Sequence, residues 1–263
     1  MIILYLFVFI LGLVIGSFLN VCIYRIPRGE SIVNPPSHCT NCGTRLQPPD
    51  LVPVLSFLFL KGKCRYCGVK VSPRYAVVEL VTALAFTMLF HRYGFSVYFP
   101  AAAYLTAILI VVFAIDLEHR IIPNGLVIAG LIGGAALTVY NVFHPVVIYG
   151  DRHWWNPLLG IAVGSGFLFV VAVISVFIYK SDEAMGMGDV KIFAPIGIFL
   201  GWRMTAVALF LSVVTAGIAG LLLMLKSMKN RKATFPFGPF IALSSYIVLL
   251  WGWDILVWYL KRL

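Results

Sequence analysis

The chain has 263 residues, of which 61% are hydrophobic and only 11% charged, against about 45–50% apolar content in soluble domains. That composition excludes an ordinary soluble domain and places the chain in a bilayer. The formal net charge of +10 is read as the surplus of Lys and Arg that sets membrane topology, and nucleic-acid binding is set aside.

Apolar runs near the ~20 residues needed to cross a hydrocarbon core recur along the chain, separated by short charged segments. Residues 1–20 carry no basic residue ahead of the apolar stretch, and the first cation is Arg25. They are therefore expected to be a retained first helix and not a signal peptide. Residues 21–75 form a loop-rich module, with prolines at 27, 35, 36, 48, 49, 53 and 73 and the glycines and cysteines of a small folded insert. Residues 76–263 are the transmembrane core, with spans expected at 76–91, 98–116, 121–141, 157–179, 189–201, 203–226 and 237–260. The sixth of the eight spans is short. Between 142 and 156, Trp154 and Trp155 mark a membrane interface.

With the N-terminus outside, fifteen basic residues fall on the cytoplasmic side and five, Arg92, Arg152, Arg203, Lys261 and Arg262, fall outside. This is the arrangement that the positive-inside rule selects. The fold expected is an all-α polytopic membrane protein of about eight transmembrane helices, with its loop module facing the cytoplasm.

Four of the five cysteines stand as Cys39-x-x-Cys42 and Cys64-x-x-Cys67, each pair followed by glycine, Gly43 and Gly68. A C-x-x-C turn brings two thiolates toward one ion, and zinc takes four such ligands at about 2.3 Å. A pair of disulfides or plain buried thiols is the alternative, and the reducing cytoplasm disfavours disulfides. Four sulfur ligands close the shell, so this zinc is expected to be structural. Cys22 is read as packing and His38 as a loop residue.

Carboxylates beside a bilayer are costly. Asp116 closes the third span and Asp189 opens the sixth, within Gly186-Met187-Gly188-Asp189-Val190-Lys191. Span parity puts both at the cytoplasmic surface. Two aspartates at one depth can hold a water between them, one ionised to take its proton and one protonated to polarise a scissile carbonyl. Gly186 and Gly188 admit backbone conformations that other residues resist, which lets an extended substrate strand approach closely the loop that also carries Lys191. The bland reading is that each is a topology-setting charge at a helix end.

The segment 186–191 resembles the G-x-G-D signature of the bacterial prepilin peptidase family, and Asp116 followed by Ile122-Pro123 resembles its other catalytic motif. Gly16 to Pro27, Pro53 to Ser56, Cys64 to Gly68, Arg74-Tyr75 with Val78-Glu79-Leu80, and Phe235 to Phe240 are similar to the family in the same order. Thr40 departs from the proline common after the first cysteine. The resemblance implies an inner-membrane aspartyl protease that cuts prepilins and pseudopilins on the cytoplasmic side, with Asp116 and Asp189 catalytic. It also implies N-methylation of the new terminus with S-adenosylmethionine as donor, linked to the N-terminal region. No G-x-G-x-x-G follows a strand, so the donor site has no motif of its own. Glu79 is a candidate for that site or for the substrate amine, or else a partner for Arg74. Glu118, Asp182 and Glu183 are candidates for attracting a basic leader.

A proton-coupled transporter using the same carboxylates is the alternative from another class. It expects carboxylates near mid-bilayer and matching broken helices in the two halves. A membrane-tethered zinc adaptor explains the cysteines alone. A zinc protease is set aside, because no H-E-x-x-H occurs.

Overall fold

The computed structural model describes residues 1–151, 153–179, 186–226 and 236–262. Its elements are α1 (Ile2–Arg25), α2 (Leu55–Phe59), α3 (Arg74–Tyr93), α4 (Tyr98–His119), α5 (Asn124–Phe143), α6 (Asn156–Ile161), α7 (Phe167–Tyr179), α8 (Met187–Lys226) and α9 (Gly238–Leu260). The described residues hold no strand, only isolated bridges within 38–70. Among the described residues, seven helical runs are long and apolar enough to cross a membrane. In a medium without water every backbone polar group must be satisfied within the chain, and a helix does this for itself.

The sixth of these runs is two helices. As one straight rod, the 40 residues of α8 would reach about 60 Å, twice the ~30 Å of a hydrocarbon core. Gly201, at φ 70° and ψ 169°, breaks it, where the sequence reading divides spans 189–201 and 203–226. The break would orphan backbone groups, and buried side chains answer them. The Tyr149 hydroxyl donates to the Ile198 carbonyl at 2.7 Å, and Asn156 Oδ1 accepts the Trp202 N–H at 3.1 Å. Asn156 in turn donates to the Tyr149 carbonyl. With this break the seven runs among the described residues become eight helical segments, in keeping with the about eight expected.

The chain divides into two compact units, Met1–Phe99 and Pro100–Leu263. In the first, α1 packs along α3 through Gly12 and Gly16. A Cβ at Gly12 would lie 2.5 Å from Ala83 Cα, and one at Gly16 would lie 2.7 Å from Glu79 Cα. A small-x-x-x-small pair lets the two backbones meet where a larger side chain would hold them apart. The first helix outruns its expected end at residue 20. Cys22, Ile23 and Arg25 are all buried, and the Arg25 guanidinium donates to the Ser31 and Pro35 carbonyls at 2.9 and 2.7 Å. Arg25 is thus a structural clamp for the start of the loop and not simply a topology charge.

In the second unit α8 is the centre, packed against α5, α6 and α9. Its approach to α6 is closest where Gly160 faces Gly197, because a Cβ on either would strike the other's backbone. One π-turn, Ala162–Gly166, joins α6 to α7. Asp151 accepts from Arg203 at 3.4 Å, tying the 142–156 connection to the helix beyond the break.

Alanine at Gly201 would need a strained positive φ, and its Cβ would lie 2.8 Å from Tyr149 Cδ1 and closer to Asn156 Oδ1. Gly201→Ala is expected to cost about 1–3 kcal/mol, read as a lowered thermal transition in detergent. Gly217→Ala, in open space on the same helix, is expected to lose nothing.

Candidate active site and metal centre

The end of α4 sets the first carboxylate. Asp116 lies three residues before the helix ends at His119 and is 5% exposed. Its Oδ2 accepts the Gly238 N–H at 2.9 Å, the first amide of α9. An unpaired amide at a helix N-terminus is a donor seeking an acceptor and carries partial positive charge, so a carboxylate is favoured there. Gly238 is obligatory for this approach, because a Cβ would stand 2.6 Å from the same oxygen.

The second carboxylate, Asp189, sits in the first turn of α8, with its amide bonded to the Gly186 carbonyl at 3.1 Å. It is half-buried and within electrostatic range of Asp116. The segment linking α4 to α5 touches the α8 start twice. Ile122 packs where a Cβ on Gly188 would stand 3.1 Å from it, and Lys191 Nζ donates to Asn124 Oδ1 at 3.2 Å. The N-termini of α5, α8 and α9 thus gather about the C-terminus of α4.

The glycines serve differently from expectation. Neither Gly186 nor Gly188 takes a positive φ; what their missing side chains provide is space, at Gly188 for Ile122 and at Gly186 for Asp189 Oδ2. Glu118 stands exposed next to His119. Asp182, Glu183 and Phe235 lie outside the described residues.

In the other unit the cysteines form two matching turns. Cys39 N–H bonds to Thr44 O and Gly43 N–H to Cys39 O; Cys64 N–H bonds to Val69 O and Gly68 N–H to Cys64 O. Each turn closes on an antiparallel bridge seven residues wide, His38 with Arg45 and Lys63 with Lys70. Gly43 and Gly68 both adopt φ near +70°, which lets each turn reverse after its second cysteine. All four Sγ atoms lie within 4.8 Å of one another, and Cys39 Sγ is 3.9 Å from Cys67 Sγ.

No disulfide joins these thiols, and tetrahedral zinc with ~2.3 Å bonds implies sulfurs about 3.8 Å apart. The donor set therefore fits a closed four-thiolate site. The Thr44 hydroxyl and then its N–H bring the Cys42 thiol down to about 6, toward the thiolate that binds metal. The N–H groups of Cys67 and Tyr66 lower Cys64 in the same way. His38 bonds the Pro36 carbonyl through Nδ1 and is not in the cluster.

Two family models match in tandem: "Bacterial Peptidase A24 N-terminal domain" over residues 10–93 and "Type IV leader peptidase family" over 103–221. The prepilin leader peptidase/N-methyltransferase of Bacillus subtilis (strain 168) is 38% identical over 254 residues, covering 96% of each chain. The chain belongs to the type IV leader peptidase family. The like-named protein of Pseudomonas putida is 31% identical, over 94% of this chain and 90% of its own. That of Myxococcus xanthus is 36% identical over 83% of this chain and 63% of its own. No solved structure matches. The match gives the transporter alternative no support.

This leader peptidase also uses a carboxylate that sequence patterns do not single out. Asp50 is 3% exposed in its side chain. It accepts Arg65 Nε at 2.5 Å, the Tyr66 hydroxyl at 2.8 Å and the Gln47 N–H at 3.1 Å. Arg65 and Tyr66 are the two residues inside the second C-x-x-C, so Asp50 fastens that turn to the loop. The signal available was only a lone Asp in a proline-rich stretch.

Covering Asp50 disfavours its charge, but Arg65, the Gln47 N–H and Tyr66 outweigh that and hold its carboxyl below the usual range. The folded state thus binds this proton less tightly than the unfolded chain. Its stabilisation is complete above pH ~4 and lost as pH falls through the lower folded value. Protease resistance of the loop is expected to differ between wild type and Asp50→Asn at pH 6, with the gap narrowing below pH 4. Purified protein is expected to hold about one zinc per chain by elemental mass spectrometry. Cys67→Ser is expected to lose that ion and expose the loop to proteolysis.

Proposed function

We propose that the chain is a membrane aspartic endopeptidase that removes the leader from type IV prepilins and pseudopilins and then N-methylates the new terminus. The observation that carries the peptidase reading is the buried Asp116, held by the first amide of α9 and within electrostatic range of Asp189 at the start of α8.

Two carboxylates sharing one proton supply both halves of peptide hydrolysis. The ionised member takes a proton from a bound water, whose oxygen attacks the scissile carbonyl. The protonated member donates to the carbonyl oxygen as the tetrahedral intermediate forms. The proton taken from water then goes to the leaving amine, and the C–N bond breaks. Neither group is assigned permanently to either role, because either carboxylate can carry the proton the two share. The Gly238 N–H fixes the orientation of Asp116, while Gly188 makes room for Ile122 and Gly186 for the Asp189 carboxylate. Lys191, bonded to Asn124, braces α8 against α5 beside the pair.

The active site faces the cytoplasm of the inner membrane with the N-terminus outside, supported by the distribution of basic residues. A prepilin's apolar stem lies beside the spans, and its basic leader stays in the cytoplasm. Cys39, Cys42, Cys64 and Cys67 would hold one zinc ion, a structural bond across the loop with no open position for water. S-adenosylmethionine would supply the methyl group.

Intact-mass measurement of a prepilin incubated with purified protein in lipid tests this reading. Leader loss is expected with wild type and a rate about 10²–10⁴-fold lower with Asp116→Asn or Asp189→Asn. A further 14 Da, about one methyl group, is expected on the mature product. Cleavage at the wild-type rate by folded variants would remove the catalytic pair.

A further inference from the structure

The first unit holds a half-open cavity of about 430 Å³ between α1, the cysteine turns and α3, a size typical of small-molecule sites. At one side lie Asn20 and Glu79, 3% and 8% exposed. Asn20 Nδ2 donates to the Tyr75 carbonyl at 2.9 Å. That bond fixes which end of the amide is oxygen, and this Oδ1 is buried without a partner. Glu79 Oε2 accepts the Val54 N–H at 2.7 Å, and Ser17 also lines the cavity. The bonded donor is neutral.

A buried carboxylate served by a neutral donor, beside an orphan carbonyl oxygen, is costly unless something brings N–H groups and positive charge. Among the other cavity residues are the exposed Lys63 and Lys70 and the aromatic Tyr24, Phe57 and Tyr75. The demand is for a ligand with an ammonium group, an anionic group and a flat ring. A peptide N-terminus supplies the ammonium but no neighbouring carboxylate, whereas an amino acid joined to a nucleoside supplies all three. Arg25 also borders the cavity, but its guanidinium is committed to the Ser31 and Pro35 carbonyls.

We propose that this cavity is the methyl donor's site, with Glu79 receiving the α-ammonium group of S-adenosylmethionine on the side of the cavity where Asn20 also lies. The inference rests on the methyl transfer proposed above and adds where the donor is held. Glu79 is then a ligand-binding residue, and the glycine seam at Gly12 and Gly16 is what places it across from Asn20.

The test is calorimetric titration of the full chain in detergent with S-adenosylhomocysteine, which keeps the amino-acid and nucleoside parts but carries no methyl to transfer. Wild type is expected to bind it. Glu79→Gln, which keeps an acceptor for Val54, is expected to weaken binding about tenfold or more. Val21→Trp, which fills the cavity from α1, is expected to abolish it. Unchanged zinc content and thermal transition establish that both variants are folded. Wild-type affinity in both variants overturns the assignment while leaving methyl transfer standing. So does an outcome in which Glu79→Gln weakens only a peptide with a free N-terminal phenylalanine. If wild type neither binds the compound nor adds a methyl group, the underlying methyl-transfer reading fails as well.

Discussion

Inside a bilayer there is no water to complete an unfinished hydrogen bond, and this exclusion governs where polar groups can stand in the molecule. A helix satisfies its own backbone except at its ends and breaks, and there the orphaned groups can serve buried side chains. Asp116 stands at the end of α4 against the first amide of α9. Asn156 and Tyr149 gather at the break around Gly201. In both places a group orphaned by the end of a helix is the partner that a buried side chain requires, and the same bond satisfies both.

Glycine seams bring those ends into position. Gly12 and Gly16 let α1 settle on α3, and Gly160 and Gly197 let α6 settle on α8. Close backbone approach replaces the hydrophobic drive that is missing when the solvent is itself apolar. The first seam places Asn20 and Glu79 on one cavity. The second places Asn156 beside the break in α8.

The spans were legible because hydropathy reports membrane crossing directly, and even the short sixth span was visible, divided from the seventh near the observed break. The cysteine spacing likewise showed the cluster, because a C-x-x-C turn is a local geometry written in local sequence. Asp116 and Asp189 stood out among only ten acidic residues because each stands at the end of an expected span. What was not legible depends on contacts far along the chain. Asp50 looks like any loop carboxylate until Arg65 and Tyr66 are folded onto it. Asn20 and Arg25 read as the frayed end of the first span, and only the packing of α1 on α3 and the return of residues 31–35 explain their burial. Gly186 and Gly188 were read for backbone freedom, whereas neither takes a positive φ and their neighbours fill the volume a side chain would need.

The bond from Gly238 N–H to Asp116 Oδ2 spans 122 positions of sequence. During synthesis α4 enters the membrane long before α9 is made, so a nascent chain carries an Asp116 whose anchoring amide does not yet exist. The orientation of that carboxylate is set only when a later span docks. An assembly intermediate is thereby left with an unaligned Asp116, and the proteolytic centre proposed here would mature only on completion of its own scaffold.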